Sequence, residues 1–597
     1  MLQPTNRLTL IDAMRPPAGF RLESAMAVTF TLDLRALLAA PAAFALTGPD
    51  GLTSDGSNQE PIELLHALRS NAGKITVFSQ VGEISLPPSR RVFAFLERCV
   101  IPVTAPRGGV VHPKVWVLRY EPSDDPAATG RRLRVLSASR NLTFDASWDT
   151  VVRLDETTTG KRVALPEIGG LFDGLVAQAQ IPIASDHLDR VQSLVAALAT
   201  AKFALPAGMD DIRAHVLGLT TTDSPLPLAT DRSLIISPFV NDRFFTHIHR
   251  APIDELVSRP EWLDQLGPKA TSHIGSVYSF DDGSMPELAI ADDLAADDPG
   301  RPLVGLHAKV FAFEQGGQAR LFLGSANATD AAFGSNVEIL LELVASRATL
   351  GIDRLCDGTD DEVGLRSLFH TYTGPDGSEQ ADESVSLDGA RRSIARLAIE
   401  GFVEESEDGW AVTYRSSGPM PQVGGAVVHC WPLAAAGHRR LVPPEQPFEA
   451  RFETSLETMS GFLAFEVEHE TGTVTEFVVP VPLTGVPEHR ERFLLKALIG
   501  NAERFMRYLL ALLDEDSTRM DLLDAVERTD GDGDETAGAF SRPVLEKLLR
   551  TMRRDPSKLA GLHPLISDLA ADDALPEGFA ELWSTIYDVA LAGEAQP

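Results

Sequence analysis

The sequence predicts an α/β fold in which two similar lobes, each a mixed sheet with helices on its faces, precede a small antiparallel β domain and a C-terminal helical domain. Three observations support this prediction. One pattern of His-x-Lys, an apolar run, a polar loop, a second apolar strand and Ser-x-Asn occurs twice in the first part of the chain. Short alternating segments follow it, and helical periodicity ends the chain.

The predicted domain boundaries follow these patterns and one change of composition. A stretch rich in Gly, Asp, Ser and Glu, typical of a linker, separates the lobes from the β-rich part. The domains are then residues 1–205 (first lobe), 206–350 (second lobe), 351–389 (linker), 390–483 (β-rich domain) and 484–597 (helical domain).

Within the first lobe, we expect a strand around Met26–Leu34, a helix near Glu60–Ser70 and a strand at Ile75–Ser79. The second lobe opens with the apolar run Ser233–Phe239. We assign this run the role that Lys74–Gln80 has in the first lobe.

Composition indicates a soluble globular protein: 44% of the 597 residues are hydrophobic. The apolar stretch Ala25–Leu46 is interrupted by Asp33, Arg35 and Pro41, so it predicts a strand and a helix rather than a membrane span or signal peptide. We therefore expect a cytoplasmic protein. Its three widely separated cysteines argue against a disulfide framework and against a cysteine zinc site.

The repeated motif is improbable by chance because lysine is scarce. With 14 His and 9 Lys in 597 residues, roughly 0.2 His-x-Lys pairs are expected at random, and two occur with the same sequel. The first set is His112, Lys114, Ser139 and Asn141, and the second is His307, Lys309, Ser325 and Asn327.

These residue types suit phosphoryl transfer. If each motif lies in a strand, His and Lys at i and i+2 point to the same face. A histidine nucleophile can attack a phosphodiester once its negative charge is neutralised; lysine supplies the charge, and Ser and Asn supply neutral donors.

At these residues the chain resembles the phospholipase D superfamily. The second motif fits best, with an acid seven residues after the histidine, a glycine before the serine and a downstream carboxylate: Glu314, Gly324 and Glu338. The first motif departs at the matching places, with Arg119, Ala138 and a polar insertion over Glu121–Arg132.

The resemblance implies two lobes packed as a pseudo-dimer around one metal-independent active site that forms a phosphohistidine. It implies His112 as nucleophile and His307 as general acid, an assignment that the residues alone leave open. Lys114, Lys309, Asn141 and Asn327 would hold phosphoryl oxygens, while Ser139 and Ser325 would support the loops or bind phosphate. Glu338 and Asp149 are candidates to orient the imidazoles, although Asp149 follows its Asn by 8 residues and Glu338 by 11.

Nucleic acid is the substrate that we expect, without a cofactor or metal. The net charge of −32 opposes it, because such a surface repels phosphate backbones, but the segment Arg107–Arg140 is locally basic. There are two alternatives. One is a phospholipid hydrolase, although the sequence shows no amphipathic basic helix suited to docking on a membrane. The other is a catalytically silent scaffold that binds nucleic acid or a protein partner. Family analogy suggests a bacterial defence or DNA-processing complex with a protein partner, such as a helicase.

Beyond the lobes, the sequence predicts architecture without catalytic chemistry. We expect strands at Trp410–Tyr414, Ala426–Cys430, Phe448–Thr454, Phe462–His469 and Val474–Val481, and then four or five helices. A chain ending near Glu383 should therefore keep its site if these domains are independent.

Two further motifs could hold metal ions, and both have a simpler interpretation. The acidic run Asp530–Glu535 lacks the Gly and Glu positions of an EF-hand loop, so we expect a solvated loop. His247 and His249 have no matching carboxylate or cysteine nearby, so we expect a surface or lobe-interface pair.

Overall fold

The computed structural model describes residues 10–45, 71–88, 91–123, 130–143, 147–219, 223–280, 305–359, 362–374, 387–407, 409–499 and 579–594, with the single residues 563, 566, 567, 570 and 575. Several mixed sheets with helices confirm the predicted α/β class. None of the described helices is long and apolar enough to cross a membrane.

The first lobe contains a six-stranded mixed sheet with the first-motif strand near its centre. Three mutually parallel strands lie on one side of that strand, and two antiparallel strands lie on the other. The predicted strand at Met26–Leu34 begins earlier and ends at Thr29, while the predicted helix near Glu60–Ser70 lies outside the described residues. In spatial order the strands are Val100–Val103, Ile75–Gln80, Phe20–Thr29, Val115–Pro122, Arg132–Ala138 and Val151–Asp155.

The second lobe repeats this arrangement in an eight-stranded sheet. The second-motif strand again has three mutually parallel strands on one side, here followed by an antiparallel edge strand, and antiparallel strands on the other. In spatial order the strands are Asp211–Leu217, Glu338–Ser346, Gln318–Gly324, Val310–Gln315, Arg232–Ile236, Ile253–Ser258, Ile274–Phe280 and Phe369–Thr371.

The repeat corrects one predicted correspondence. Strand Arg232–Ile236 pairs directly with the second-motif strand, as Phe20–Thr29 pairs with the first. The counterpart of Ile75–Gln80 is therefore Ile253–Ser258, not Ser233–Phe239. All of these central strands are buried along most of their length, so their order in the sheet cannot be predicted from their composition.

The predicted linker over residues 351–389 also differs from the structure. Helices Ile352–Cys356 and Leu365–Leu368 lead to Phe369–Thr371, the edge strand of the second sheet, and their apolar side chains are buried in the core of the lobes. The apolar residues of these short elements stand between polar ones that dominate the composition. The second lobe thus extends at least to Thr371.

One apolar core passes through both lobes. Helices Pro166–Ala177 and Ser185–Leu198 contact the first sheet and the edge of the second. Their buried Phe172 and Leu194 belong to the same cluster as Val115 of the first lobe and Leu321 of the second. This continuous apolar burial stabilises the lobes as a packed pair.

The β domain is built onto the first lobe. Two short strands of that lobe, Leu32–Asp33 and Ile84–Ser85, extend its larger sheet, where Ile84 pairs with Val478. Its own strands are Ile399–Ser406, Gly409–Pro419, Ala426–Pro432, Arg440–Val442, Pro447–Thr454, Phe462–His469, Val474–Pro480 and Leu483–Thr484. The β domain and the first lobe therefore share a sheet and are not independent of each other.

Two C-terminal helices, Arg490–Ile499 and Phe579–Glu594, are described. Arg490 forms two bonds with Glu97 of the first lobe at 2.8 and 3.0 Å. The rest of the predicted bundle and the run Asp530–Glu535 lie outside the described residues. The remaining helices are Leu10–Met14, Leu34–Ala45, Arg91–Leu96, Phe244–Ile248, Pro260–Leu263, Pro268–Thr271, Asp330–Gly334, Arg347–Leu350 and Asp388–Ala395.

Candidate active site

The two His-x-Lys motifs lie just before their strands rather than inside them. The motif strands begin at Val115 and Val310, one residue after each lysine. The extended segments ahead of them are held by the opposite lobe: the amide N–H of His112 donates to the Val337 carbonyl and that of His307 to the Trp148 carbonyl, both at 2.9 Å. Both motifs are therefore brought to the junction of the lobes.

His112 meets a carboxylate of the second lobe. Its Nδ1 lies 2.9 Å from Oε2 of Glu338, which is fully buried. Ser325 donates to the same carboxylate oxygen, and Asn336 donates to the other at 3.3 Å. Burial by itself raises the pKa of Glu338, but His112, Lys114 and Ser325 outweigh it and lower the pKa. Glu338 is thus an ionised acceptor that fixes the His112 ring.

His307 meets a lysine instead. Nζ of Lys309 lies 3.0 Å from Nδ1 of His307 and also donates to the His307 carbonyl at 2.6 Å. The same Nζ reaches the Ser139 carbonyl of the first lobe at 3.3 Å, and Lys309 is completely buried. In the first half, Lys114 bonds the His112 carbonyl at 2.7 Å.

Positive charge is concentrated here. Burial, with a smaller contribution from Lys114 and Lys309, lowers the pKa of His112 to about 4, although Glu338 opposes the shift. Burial and the charges of Lys309, Lys114 and Arg259 lower the pKa of His307. Burial and Lys309 lower the pKa of Lys114 well below its usual range. A bound anion would relieve this repulsion.

Ser139 and Ser325 support the loops. Both are fully buried, and each hydroxyl oxygen accepts a backbone N–H: Ser139 from Thr150, just before the next strand, at 2.9 Å, and Ser325 from Ile339, within the next strand, at 3.0 Å. These matching bonds make Asp149 the counterpart of Glu338. The helix Asp330–Gly334 accounts for the longer spacing in the second half.

Asp149 and Glu338 nevertheless differ in their contacts. Asp149 lies 3.6 Å from Arg140. Asn141 and Asn327 each bury a side-chain oxygen that has no hydrogen-bond partner within the described part of the chain. These oxygens are acceptors, so only the Nδ2 groups of the two amides could donate to a phosphoryl oxygen.

Glu314 lies away from the site, at the far end of its strand. It pairs with Arg347 at 2.9 Å and accepts the N–H of Ile352 at 2.7 Å. Arg119, its counterpart in the first lobe, pairs with Glu23 at 3.1 Å. The residue seven positions after each histidine therefore forms an ion pair within its own lobe. It is the acidic partner in the second lobe and the basic partner in the first.

Ion pairs neutralise much of the predicted basic segment. Arg119 and Arg131 pair with Glu23, Arg134 pairs with Asp155, and Arg140 pairs with Asp149. The other two arginines of the segment, Arg107 and Arg132, are exposed. The net charge of −32 therefore still opposes the approach of a nucleic acid backbone.

Two supporting residues were not apparent from the sequence. Gln80 accepts the N–H of Val111 at 2.7 Å, and Arg259 donates to the Leu306 carbonyl at 3.0 and 2.6 Å. Each directly follows or ends a buried strand, and each braces the residue before a motif histidine. A polar residue at the end of a predicted buried strand was the only sequence feature that could have indicated these two residues.

His247 and His249 do not form a metal site. His249 is buried against Phe244 and Phe313, while His247 is exposed and contacts Thr246. Within the described residues, no group of three or more His, Cys, Asp or Glu side chains could hold a metal ion.

No protein-family model and no curated protein matches this sequence. Among solved structures, a mutant of yeast tyrosyl-DNA phosphodiesterase is similar over 56% of this chain and 84% of its own, at 11% identity and a TM-score of 0.31. Polyphosphate kinase from Porphyromonas gingivalis is similar over 56% of this chain and 41% of its own, at 13% identity and a TM-score of 0.26. Both TM-scores are below 0.5, too low to support a functional assignment.

Proposed function

We propose that this protein is a metal-independent phosphodiesterase of the phospholipase D type, with one active site made by both lobes. The observation that carries the proposal is that two histidines at the lobe junction have opposite partners on Nδ1. His112 has the Glu338 carboxylate, and His307 has the Lys309 ammonium.

These partners give the two rings different tautomers. A carboxylate only accepts, so His112 keeps a proton on Nδ1 and presents the Nε2 lone pair to phosphorus. An ammonium only donates, so Nδ1 of His307 accepts and the ring proton lies on Nε2. His112 is therefore the nucleophile and His307 the acid, the same roles that the family resemblance implies.

The reaction follows from these positions. Nε2 of His112 bonds to phosphorus while the bond to the leaving oxygen breaks, and that oxygen takes the Nε2 proton of His307. Lys309 replaces the proton at Nδ1. The oxygen of water then bonds to phosphorus while the P–Nε2 bond to His112 breaks, which releases the His112 imidazole with its Nδ1 proton. The water gives a proton to Nε2 of His307, and the Nδ1 proton of His307 returns to Lys309. Lys114, Asn141 and Asn327 hold the non-bridging oxygens.

Nucleic acid is the substrate class that we propose. Phe30 lies 5.2 Å from the His112 ring, and Phe239 packs against Trp262 beside Arg259 at the other half. Partly exposed aromatic rings are suitable for stacking nucleobases. The C-terminal domains are proposed to hold a protein partner within a defence or DNA-processing complex.

Single and double histidine variants test the composite site. His112→Ala and His307→Ala should each lower turnover of a dinucleotide at least about 1000-fold in EDTA, and the double variant should be no worse, because the residues act as a unit. His247→Ala, an exposed histidine of the same lobe, is the control. Half activity in either single variant, or strict dependence on magnesium, contradicts the proposal.

The leaving group separates the two roles. p-Nitrophenolate leaves without protonation, so His307→Ala should lose far less activity on bis-p-nitrophenyl phosphate than on the dinucleotide, whereas His112→Ala should lose both. Parallel assays with DNA, RNA and a phospholipid decide the substrate class. Binding without turnover of any diester indicates a silent scaffold.

A further inference from the structure

Arg259 places a third cation beside the second half-site. It follows strand Ile253–Ser258 and is half-buried. Its Nε and Nη2 both donate to the carbonyl of Leu306, the residue before His307. The guanidinium is close enough for its charge to contribute to the lowered pKa of His307.

No carboxylate of the described residues forms an ion pair with Arg259. The more deeply buried Arg119 and Arg134 are paired with Glu23 and Asp155 at 3.1 and 2.5 Å. Arg259 lies instead over the ring of Phe239, 5.4 Å from its centroid. Its two bonds to Leu306 engage one edge of the guanidinium, so further N–H donors remain for a ligand.

The first half-site has a neutral residue at the corresponding place. Gln80 ends the counterpart strand and bonds the backbone N–H of Val111, the residue before His112. It is 1% exposed. The task of bracing a motif segment therefore does not require a charge, and the charge of Arg259 needs another explanation.

Arg259 is placed to meet a second negative group. Its charge acts on His307 together with those of Lys309 and Lys114, and no carboxylate of the described residues forms an ion pair with it. A diester carries one negative charge, which the motif lysines can bind, so the guanidinium is left for another group. A planar guanidinium matches a phosphoryl group well, because two of its N–H donors can bind two oxygens.

We propose that Arg259 binds a second phosphoryl group of the substrate next to the scissile one, on the His307 side. The inference rests on the proposed function for the scissile phosphate. It makes the preferred ligand a chain with neighbouring phosphates, either a diphosphate or a nucleotide chain, rather than an isolated diester.

Calorimetric binding to the full-length protein tests this inference without requiring turnover. The probes are inorganic phosphate, inorganic pyrophosphate, thymidine dinucleotide, and the same dinucleotide phosphorylated at its 5′ or its 3′ end. Arg259→Gln installs the residue type of the first half-site, and Arg259→Lys keeps the charge. Arg243→Gln, an exposed arginine of the same lobe that pairs with Asp330, is the control. A cooperative melt establishes that each variant is folded.

The wild type should bind at least one two-phosphate probe about 10-fold more tightly than its one-phosphate partner. Arg259→Gln should abolish that preference while binding phosphate normally, and Arg259→Lys should keep part of it. A gain with pyrophosphate alone identifies a diphosphate, and a gain with a phosphorylated dinucleotide identifies a nucleotide chain.

The inference is overturned if the wild type shows no preference, or if Arg259→Gln weakens one-phosphate and two-phosphate probes by the same factor. A preserved preference in a protein that cleaves no diester would refute the proposed function and leave the Arg259 subsite standing.

Discussion

At the residue scale, the pseudo-symmetry of the site is broken by the group on each Nδ1. Both histidines have the same backbone support from the opposite lobe, yet one faces the buried Glu338 and the other the buried Lys309. Glu338 and Asp149 occupy matching places, but Asp149 faces Arg140. The two carboxylates should therefore contribute unequally to catalysis.

Glu338→Gln should lower kcat about 100-fold, because the amide can accept the Nδ1 hydrogen but cannot stabilise the positive charge that develops on His112. Asp149→Asn should lower it less than about 10-fold. Steady-state rates on a dinucleotide measure both. Equal losses in the two variants would show that the two carboxylates have equivalent roles.

His249 offers a residue-scale prediction on stability. Burial lowers its pKa to about 4, below the ordinary value of 6.5, and neither ring nitrogen has a hydrogen-bond partner among the described residues. The neutral ring is favoured in the folded state, so stability is lost as pH falls from 6.5 towards 4. His249→Leu should raise Tm, and more at pH 5 than at pH 7.

The gain should be roughly 1 kcal/mol at neutral pH, since an unsatisfied buried polar group is removed. Thermal melts at the two pH values measure it, with the exposed His247→Leu as the matched control. A Tm that falls at both pH values would mean that the His249 ring makes a favourable contact.

At the element scale, the end of the strand before each Ser-x-Asn loop differs between the halves. A Cβ at Gly324 would overlap the Ile339 carbonyl oxygen, whereas the counterpart position in the first lobe holds Ala138. The close approach explains the glycine of the second motif.

Gly324→Ala should therefore cost roughly 1–3 kcal/mol of stability and displace Ser325 from Glu338, with loss of activity. Ala138→Gly should leave turnover nearly unchanged. Denaturant unfolding and dinucleotide turnover measure the pair. A fully active, stable Gly324→Ala variant would show that the strand pair can separate there without harm.

At the scale of the whole molecule, the β domain is part of the support for the first half-site. Leu32 pairs both with Ile84 at the edge of the β-domain sheet and with Leu142, next to Asn141. Buried Phe462 and Val478 belong to the core cluster of the first lobe. Backbone pairing through Leu32 thus connects the β domain with the loop of the first motif.

A chain ending at residue 383 should consequently lose activity even on bis-p-nitrophenyl phosphate, because truncation exposes the apolar face beneath Ile84 and Leu32. This reverses the expectation from sequence that the lobes act alone. Melting temperature and small-diester turnover of the truncated and full-length chains test it. Full activity with an unchanged melt would restore that expectation.

Much of the local chemistry could be predicted because it lies in short patterns. The two His-x-Lys and Ser-x-Asn sets and the β-domain strands Phe462–His469 and Val474–Val481 each depend on residues that are close in the chain. The order of the parallel strands could not be predicted, since strands that are buried to a similar degree exchange places without changing the pattern. The extent of the second lobe could not be predicted either, since its last elements are short and lie in a mainly polar segment.

By itself, the sequence determined which side chains could perform phosphoryl transfer and that they occur in two sets. Only the tertiary structure decided how the sets differ. His112 and Glu338 are 226 residues apart, and Lys309 reaches Ser139 over 170 residues. Arg259 lies beside the second motif only because its strand ends near Leu306. Such contacts depend on how the sheets pack, and no local periodicity encodes them.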